Sequence, residues 1–321
     1  MLQFLHSLFG TVEKGRYPEK LVEEAIERTV DGTDPWLRGV SGYRKKLRPA
    51  VVRAIDHVVA LVDGLPPPLT ATLSCYDDDP LIKGFFISTA EMRKIYTADR
   101  TLAEFRRGPD GDTPRIITLL TMEKREGITL GAELSGDVIL RDVPQTTVTF
   151  ESHRFFDPAA DERTTRRRLM VRAFDHLLSL ALGEISSVKS ERRELERRRS
   201  LLEAKFNLLQ RGGWGFAETA ASEGITVTAL EVGLGEIEKE LLKLGGDDRA
   251  VEFYLEIVAD LLGRPEVHLW AGKESLIVDR LGIKRSQAAF DAPELVLHEL
   301  RNAKGRTMVV ALVTLVGSDL Q

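Results

Sequence analysis

A chain of 321 residues exceeds the usual size of one domain, so two globular units, or one with a long extension, are expected. Hydrophobic content of 43% with 30% charged residues argues against a disordered chain, and a formal net charge of −5 argues against a globally basic nucleic-acid binder. The single cysteine, Cys75, cannot form an internal disulfide, and no Cys/His group has zinc spacing, so a reducing cytoplasm is the expected compartment.

The first ten residues, Met1 to Gly10, are apolar, with Phe4, Leu5, Leu8 and Phe9 on one helical face. The segment is too short to span a bilayer and has no Lys or Arg to hold anionic lipid, so it is expected to pack on the body or on a partner. Tyr17 to Val30 and Leu47 to Val62 read as helices, the second ended by Gly64 and Pro66-Pro67-Pro68. Cys75 to Pro80 reads as a polar loop, and Thr89 to Arg106 as one helix.

The period then changes. Arg115 to Lys124, Gly127 to Leu134, Asp137 to Val143 and Thr146 to Phe155 are rich in β-branched residues, and turns are expected at Arg125-Glu126, Ser135-Gly136 and Pro144-Gln145. This pattern predicts a four-stranded antiparallel meander.

From Asp161 to Gln210 the helical period runs without a proline, far beyond an ordinary helix of about a dozen residues. Counting sevens from Val171 puts apolar residues at ten of twelve seam positions, with Arg192 and Arg199 as the two exceptions. Gly183 is the internal weak point of this helix. Arg211 and the Gly-rich Gly212-Gly213-Trp214-Gly215 end it, and Thr228 to Leu244 repeats apolar residues at alternating spacings of four and three. Residues 161–211 carry 13 Lys/Arg against 8 Asp/Glu, and residues 212–270 carry 4 against 12, so a basic arm and an acidic arm are expected to pair as an antiparallel coiled-coil hairpin.

A further helix is expected over Asp248 to Leu262, and strands over Glu266 to Trp270, Ser275 to Leu281, Glu294 to Arg301 and Arg306 to Val316. Arg53 to Val59 and Arg172 to Leu178 share an Arg-Ala-x-Asp-His pattern, which suggests either duplication of a helix-plus-sheet unit or coincidence. The expected fold is thus α+β. An N-terminal helical region (1–113) precedes an antiparallel β meander (114–157), a long helix with its hairpin (158–263) and a C-terminal antiparallel β unit (264–321), the two β regions being candidates for one shared core.

The chemistry-bearing residues point to no enzyme class. Neighbours on a helix project about 100° apart, so within Asp56-His57 or Asp175-His176 the carboxylate cannot orient the imidazole; a dyad would have to form between the two helices. Asp77-Asp78-Asp79 before Pro80 lacks the Gly and distal Glu of a calcium loop. Glu151 and His153, two apart on an expected strand, should face the same way, and with Glu123 or Glu133 they form the best metal candidate, without a second histidine at ligand spacing. His268 and His298 fall on expected strands of the other β region. Gly212–Gly215 follows a helix, whereas a phosphate-binding loop follows a strand.

The clustered guanidinium groups remain, first Arg166-Arg167-Arg168 and then Arg192, Arg193, Arg197, Arg198 and Arg199. The second cluster is the candidate partner-binding set. The sequence therefore reads as a non-enzymatic cytoplasmic interaction or assembly protein whose hairpin binds a protein partner or a second copy, with no cofactor, metal or catalytic residue identified and no membrane span. Two alternatives stand beside it: nucleic-acid binding through the Arg-rich helix, disfavoured by the interleaved glutamates and absent aromatics, and an enzyme with a site assembled from scattered Glu, His and Asp.

Overall fold

The computed structural model describes residues 17–135, 138–210, 227–246, 249–290 and 292–320. The protein is α+β, with nine helices and an antiparallel sheet among the described residues. These residues fall into two compact units, one of residues 55–174 and 265–320 and the other of residues 17–54 and 175–264. Two of the boundaries lie inside helices, α2 (Tyr43–Asp63) and α6 (Glu162–Gln210), and the third falls between Arg264 and Pro265.

In the first unit the strands β2 (Arg115–Ser135), β3 (Val138–Ala159), β4 (Leu269–Ile277), β5 (Glu294–Asn302) and β6 (Thr307–Val316) form a sheet of order β3-β2-β6-β5-β4, and the short β1 (Leu69–Thr70) pairs parallel with β6. The two expected β regions thus lie in one sheet. β6 is its middle strand and is buried on both faces from Val309 to Val313, which explains why its sequence is a continuous apolar run rather than an alternation. Beyond β4 the chain turns back: Val278 bridges Lys284, Ile283 bridges Thr147 of β3, and Val148 N donates to the Gly282 carbonyl at 2.7 Å. The sheet is therefore curled, with both edge strands tied together and their unpaired backbone groups covered.

Three helices fill the concave face: α3 (Pro80–Phe85), α4 (Thr89–Ala98) and α5 (Arg100–Arg107). Ile82, Phe85, Met92, Tyr96 and Leu102 pack there against Leu120, Met122, Leu297 and Val313. Edge-to-face ring pairs, Phe85–Phe150 at 5.3 Å and Tyr96–Phe155 at 5.5 Å, seat the helices on β3. Thr89 to Arg106 forms two helices rather than one because Asp99 accepts the Leu102 N–H at 2.9 Å and caps a new helix. Elsewhere in this unit Arg166, in the first turns of α6, donates to the Val62 carbonyl at 2.6 Å and to those of Leu65 and Pro66, satisfying carbonyls at the end of α2.

The stretch expected to hold four strands holds two long ones. Arg125 pairs with Thr149 and Pro144 with Leu130, so neither expected turn interrupts the ladder. These residues are tolerated because β6 reaches only as far as Met122, so beyond it β2 and β3 form a ribbon, and the 282–284 segment meets β3 only from Thr146 onward. Likewise Glu266–Trp270 is not a separate strand: the short helix α9 (Pro265–His268) runs straight into β4. The two Arg-Ala-x-Asp-His segments lie on α2 and α6, but α2 leads into β1 and α3–α5 whereas α6 leads towards two further helices.

The second unit is helical. It contains α1 (Glu19–Gly32), the first half of α2, α6 from Asp175, α7 (Val227–Lys243) and α8 (Ala250–Gly263). Leu21, Ala25, Ile26, Leu47, Val51, Leu177, Ile185 and Val258 are buried there. Gly32 lets α1 approach α6, since a Cβ at that position would sit 3.0 Å from Leu178 Cδ1. Polar ties fix the register: Arg28 binds Asp175 bidentately at 2.6 and 2.5 Å, and Lys189 meets the buried Asp34 at 2.7 Å. α6 passes through Gly183 without interruption. Among the described residues no helix is long and apolar enough to cross a membrane.

Candidate interaction surface

α6 persists because its polar face is laced with pairs one turn apart: Arg192–Glu196 at 2.9 Å, Arg198–Glu194 at 3.1 Å and Arg199–Glu203 at 3.6 Å. α7 returns along it. Leu195 packs with Ile237 and Leu241, joined by Leu202 and Leu244, and Leu202 Cδ1 lies 3.3 Å from where a Cβ on Gly233 would be. Rising numbers on α6 meet falling numbers on α7, so the two helices are antiparallel. α7 ends in a Schellman turn: Gly246 N donates to Leu241 O and Gly245 N to Leu242 O, with both glycines at positive φ. The Arg192 guanidinium donates to the Gly246 carbonyl and closes this end of the arm.

The five arginines singled out in the sequence are therefore not equivalent. Arg192 is turned inward, its side chain 11% exposed, and serves the arm's own structure. Arg193 is exposed. Arg197 and Arg198 are exposed and converge on Glu194, whose carboxyl their hydrogen bonds lower to about 2. Arg199 is half-buried beside Glu203. Alongside them stand two apolar side chains, Leu201 at 54% and Leu208 at 73% exposure.

The other candidates do not converge on one site, and several are held by partners of their own. Glu151 and His153 do not share a face. Ser152 takes a left-handed φ of 58°, and the ladder shifts from Glu123↔Glu151 to Thr121↔Arg154, so an extra residue in β3 reverses the alternation. Glu151 points out to Arg125 at 3.0 Å, whereas His153 turns in, stacks on Phe86 at 4.9 Å and contacts the Phe85 carbonyl at 2.7 Å. Burial pushes the His153 imidazole below its usual pKa, the Phe85 carbonyl opposing. His57 contacts the Leu269 carbonyl at 2.7 Å, and Asp175 is held by Arg28. Asp79 caps α3 and Asp77 pairs with Lys83. His268 closes α9, and His298 on β5 lies opposite Lys273. No group of three or more His, Cys, Asp or Glu among the described residues could hold a metal ion. Met1–Gly10 and the Gly212–Gly215 turn lie outside the described residues.

One cluster escaped the sequence reading. At the rim of the curled sheet, Lys124 binds both oxygens of Glu274 at 2.6 and 2.8 Å, and Glu126 lies within 3.3 Å of both Lys124 and Lys284. Glu299, 2% exposed, accepts from Arg301 at 3.0 and 2.6 Å and lies beside the Glu274 carboxyl. Burial pushes the Glu274 carboxyl up, and its hydrogen bonds from Lys124 together with that cation's charge outweigh burial and leave it lowered. The signal was present in the sequence: in Leu295, Leu297, Glu299 the inward-facing period of two ends on a carboxylate. With three cations and three anions, the cluster leaves no charge over for a ligand and locks the rim.

Comparison with protein-family models, with curated proteins and with solved structures found no match.

Proposed function

We propose that this protein is a non-enzymatic interaction or assembly protein, and that the α6–α7 arm is the element through which it associates. One observation carries the reading. From Leu195 onward the apolar seam of α6 packs, among the described residues, with α7 in a small cluster of its own, while Leu201, Leu208 and the exposed Arg193, Arg197 and Arg198 lie outside that seam. A cytoplasmic setting accords with the lone Cys75.

The test is to replace residues 197–239 by a short Gly-Ser linker, which spares Ile185 and Lys189 in the helical unit and joins helix ends that already meet at Leu195 and Leu241. The shortened protein should keep its thermal transition and lose its oligomeric state or its captured partner. Unchanged assembly and unchanged capture would sink the reading. Exposure of Arg193, Arg197 and Arg198 favours nucleic-acid binding as a second reading, and their glutamate partners oppose it. It predicts duplex or single-strand binding at low salt that weakens steeply as salt rises and disappears on changing Arg197, Arg198 and Arg199 to Glu.

A further inference from the structure

We infer that the arm's partner is a second copy of the same arm, with α6 of one chain docked against α7 of the other. The inference rests on the proposed function and names its partner.

The carrying observation is a charge-complementary flank. On α6, the residues along one side of the seam from Arg198 onward are Arg198, Leu201, Lys205 and Leu208, at spacings of three, four and three. On α7, Gly233, Glu236 and Glu240 run along the side of the seam that the antiparallel pairing puts on the same flank, since each of Arg198, Lys205, Gly233 and Glu240 immediately precedes a seam residue in the same phase of its heptad. All but Gly233 are exposed. From Arg198 onward the α6 half of the flank is therefore basic with two exposed leucines, preceded by Glu191 and Glu194, and the α7 half is acidic at Glu236 and Glu240, followed by Lys243, with Gly233 carrying no side chain.

The level of these residues along the arm completes the argument. Leu195 packs with Leu241 and Leu202 lies against Gly233, so Arg198 stands level with Glu236 and Glu240. A two-fold axis parallel to the arm stacks α6 of each copy on α7 of the other at the same level, in opposite directions. Arg198 then meets the two glutamates, and Leu201 comes level with Gly233, where no side chain stands in its way. The contact is isologous, so every pairing occurs twice, and the four helices alternate in direction as in an up-down-up-down bundle. The pair that Arg198 makes with Glu194 is exposed and one turn apart, a contact weak enough to be shared with a second copy.

The experiment is sedimentation velocity on the full chain and two charge variants. One carries Arg198→Glu and Lys205→Glu, setting acidic groups against Glu236 and Glu240; the other carries Glu236→Lys and Glu240→Lys, setting basic groups against Arg198 and Lys205. Wild type should be dimeric, each variant alone should dissociate at least about tenfold more readily, and the two mixed should form a heterodimer. Circular dichroism spectra unchanged from wild type establish that the variants are folded, and Leu201→Asp supplies a second break that leaves the seam intact. A monomeric wild type, variants that dimerise as wild type does, or a dimer that nuclease dissolves would overturn the inference. If the variants remain dimeric while the 197–239 replacement is monomeric, the arm reading stands and this flank is wrong. If that replacement too leaves assembly and capture unchanged, both fail.

Discussion

The rim of the curled sheet and the α6–α7 arm are both built from Lys, Arg and Glu, yet these residues do different work in each. At the rim, Glu299 is 2% exposed and every charge is matched within a closed group; in the arm, Arg197 and Arg198 are 73% and 62% exposed and crowd onto one carboxylate. Burial decides the difference. A carboxylate removed from water must be hydrogen-bonded, so the rim cluster is rigid and its loss costly, whereas a solvated ion pair contributes little to stability and can change partners. The same residue types thus hold the sheet together in one place and stand solvated on a helix surface in another.

The largest expected break of this comparison is Glu299→Ala, which leaves the Arg301 guanidinium without its carboxylate partner beside the core. Chemical denaturation should show a loss of about 2–3 kcal/mol, the range for deleting a charged hydrogen-bond partner in a buried setting. A smaller loss would mean that the rim is as solvated as the arm.

Next comes pH. The His153 imidazole has a folded-state pKa below its ordinary 6.5, so the unfolded chain takes up the proton first. Its contribution to stability is full above pH 6.5 and falls as pH drops towards the depressed value. Glu274, lowered from 4.5, adds stability that is full above 4.5 and is lost as pH falls through its folded value. Thermal midpoints should accordingly decline in two stages on acidification, and His153→Gln should remove the earlier one.

Smaller still is Gly246→Ala at the end of α7, where φ is 61° and a Cβ is strained; about 1 kcal/mol of arm stability should be lost, visible as faster amide exchange in α7. Last, Arg197→Ala should leave the denaturation midpoint unmoved, since its ion pair with Glu194 is fully solvated.

Helices were legible wherever the apolar period was long. The expected span from Asp161 to Gln210 and the return helix from Thr228 to Leu244 match α6 and α7 to within a residue or so, because helix periodicity is local and survives without knowledge of neighbours. Strand endings were not legible. Arg125-Glu126 and Pro144-Gln145 look like turns, but they lie in β2 and β3 because the ribbon there has no third strand to object to them. The positive φ at Ser152 had no sequence signal either, and it alone separates Glu151 from His153.

Sequence by itself therefore determined the α+β class, the long helix with its returning neighbour, and the acidic and basic character of the two arms, all properties carried by spacing and composition. Only tertiary structure decided that the two β regions make one curled sheet, that Glu299 anchors an ion cluster at its rim, and that Arg192 turns inward while Arg197 and Arg198 turn out. Those outcomes depend on contacts between residues far apart in the chain, whose burial sets the energy of each charge, and no local period encodes them.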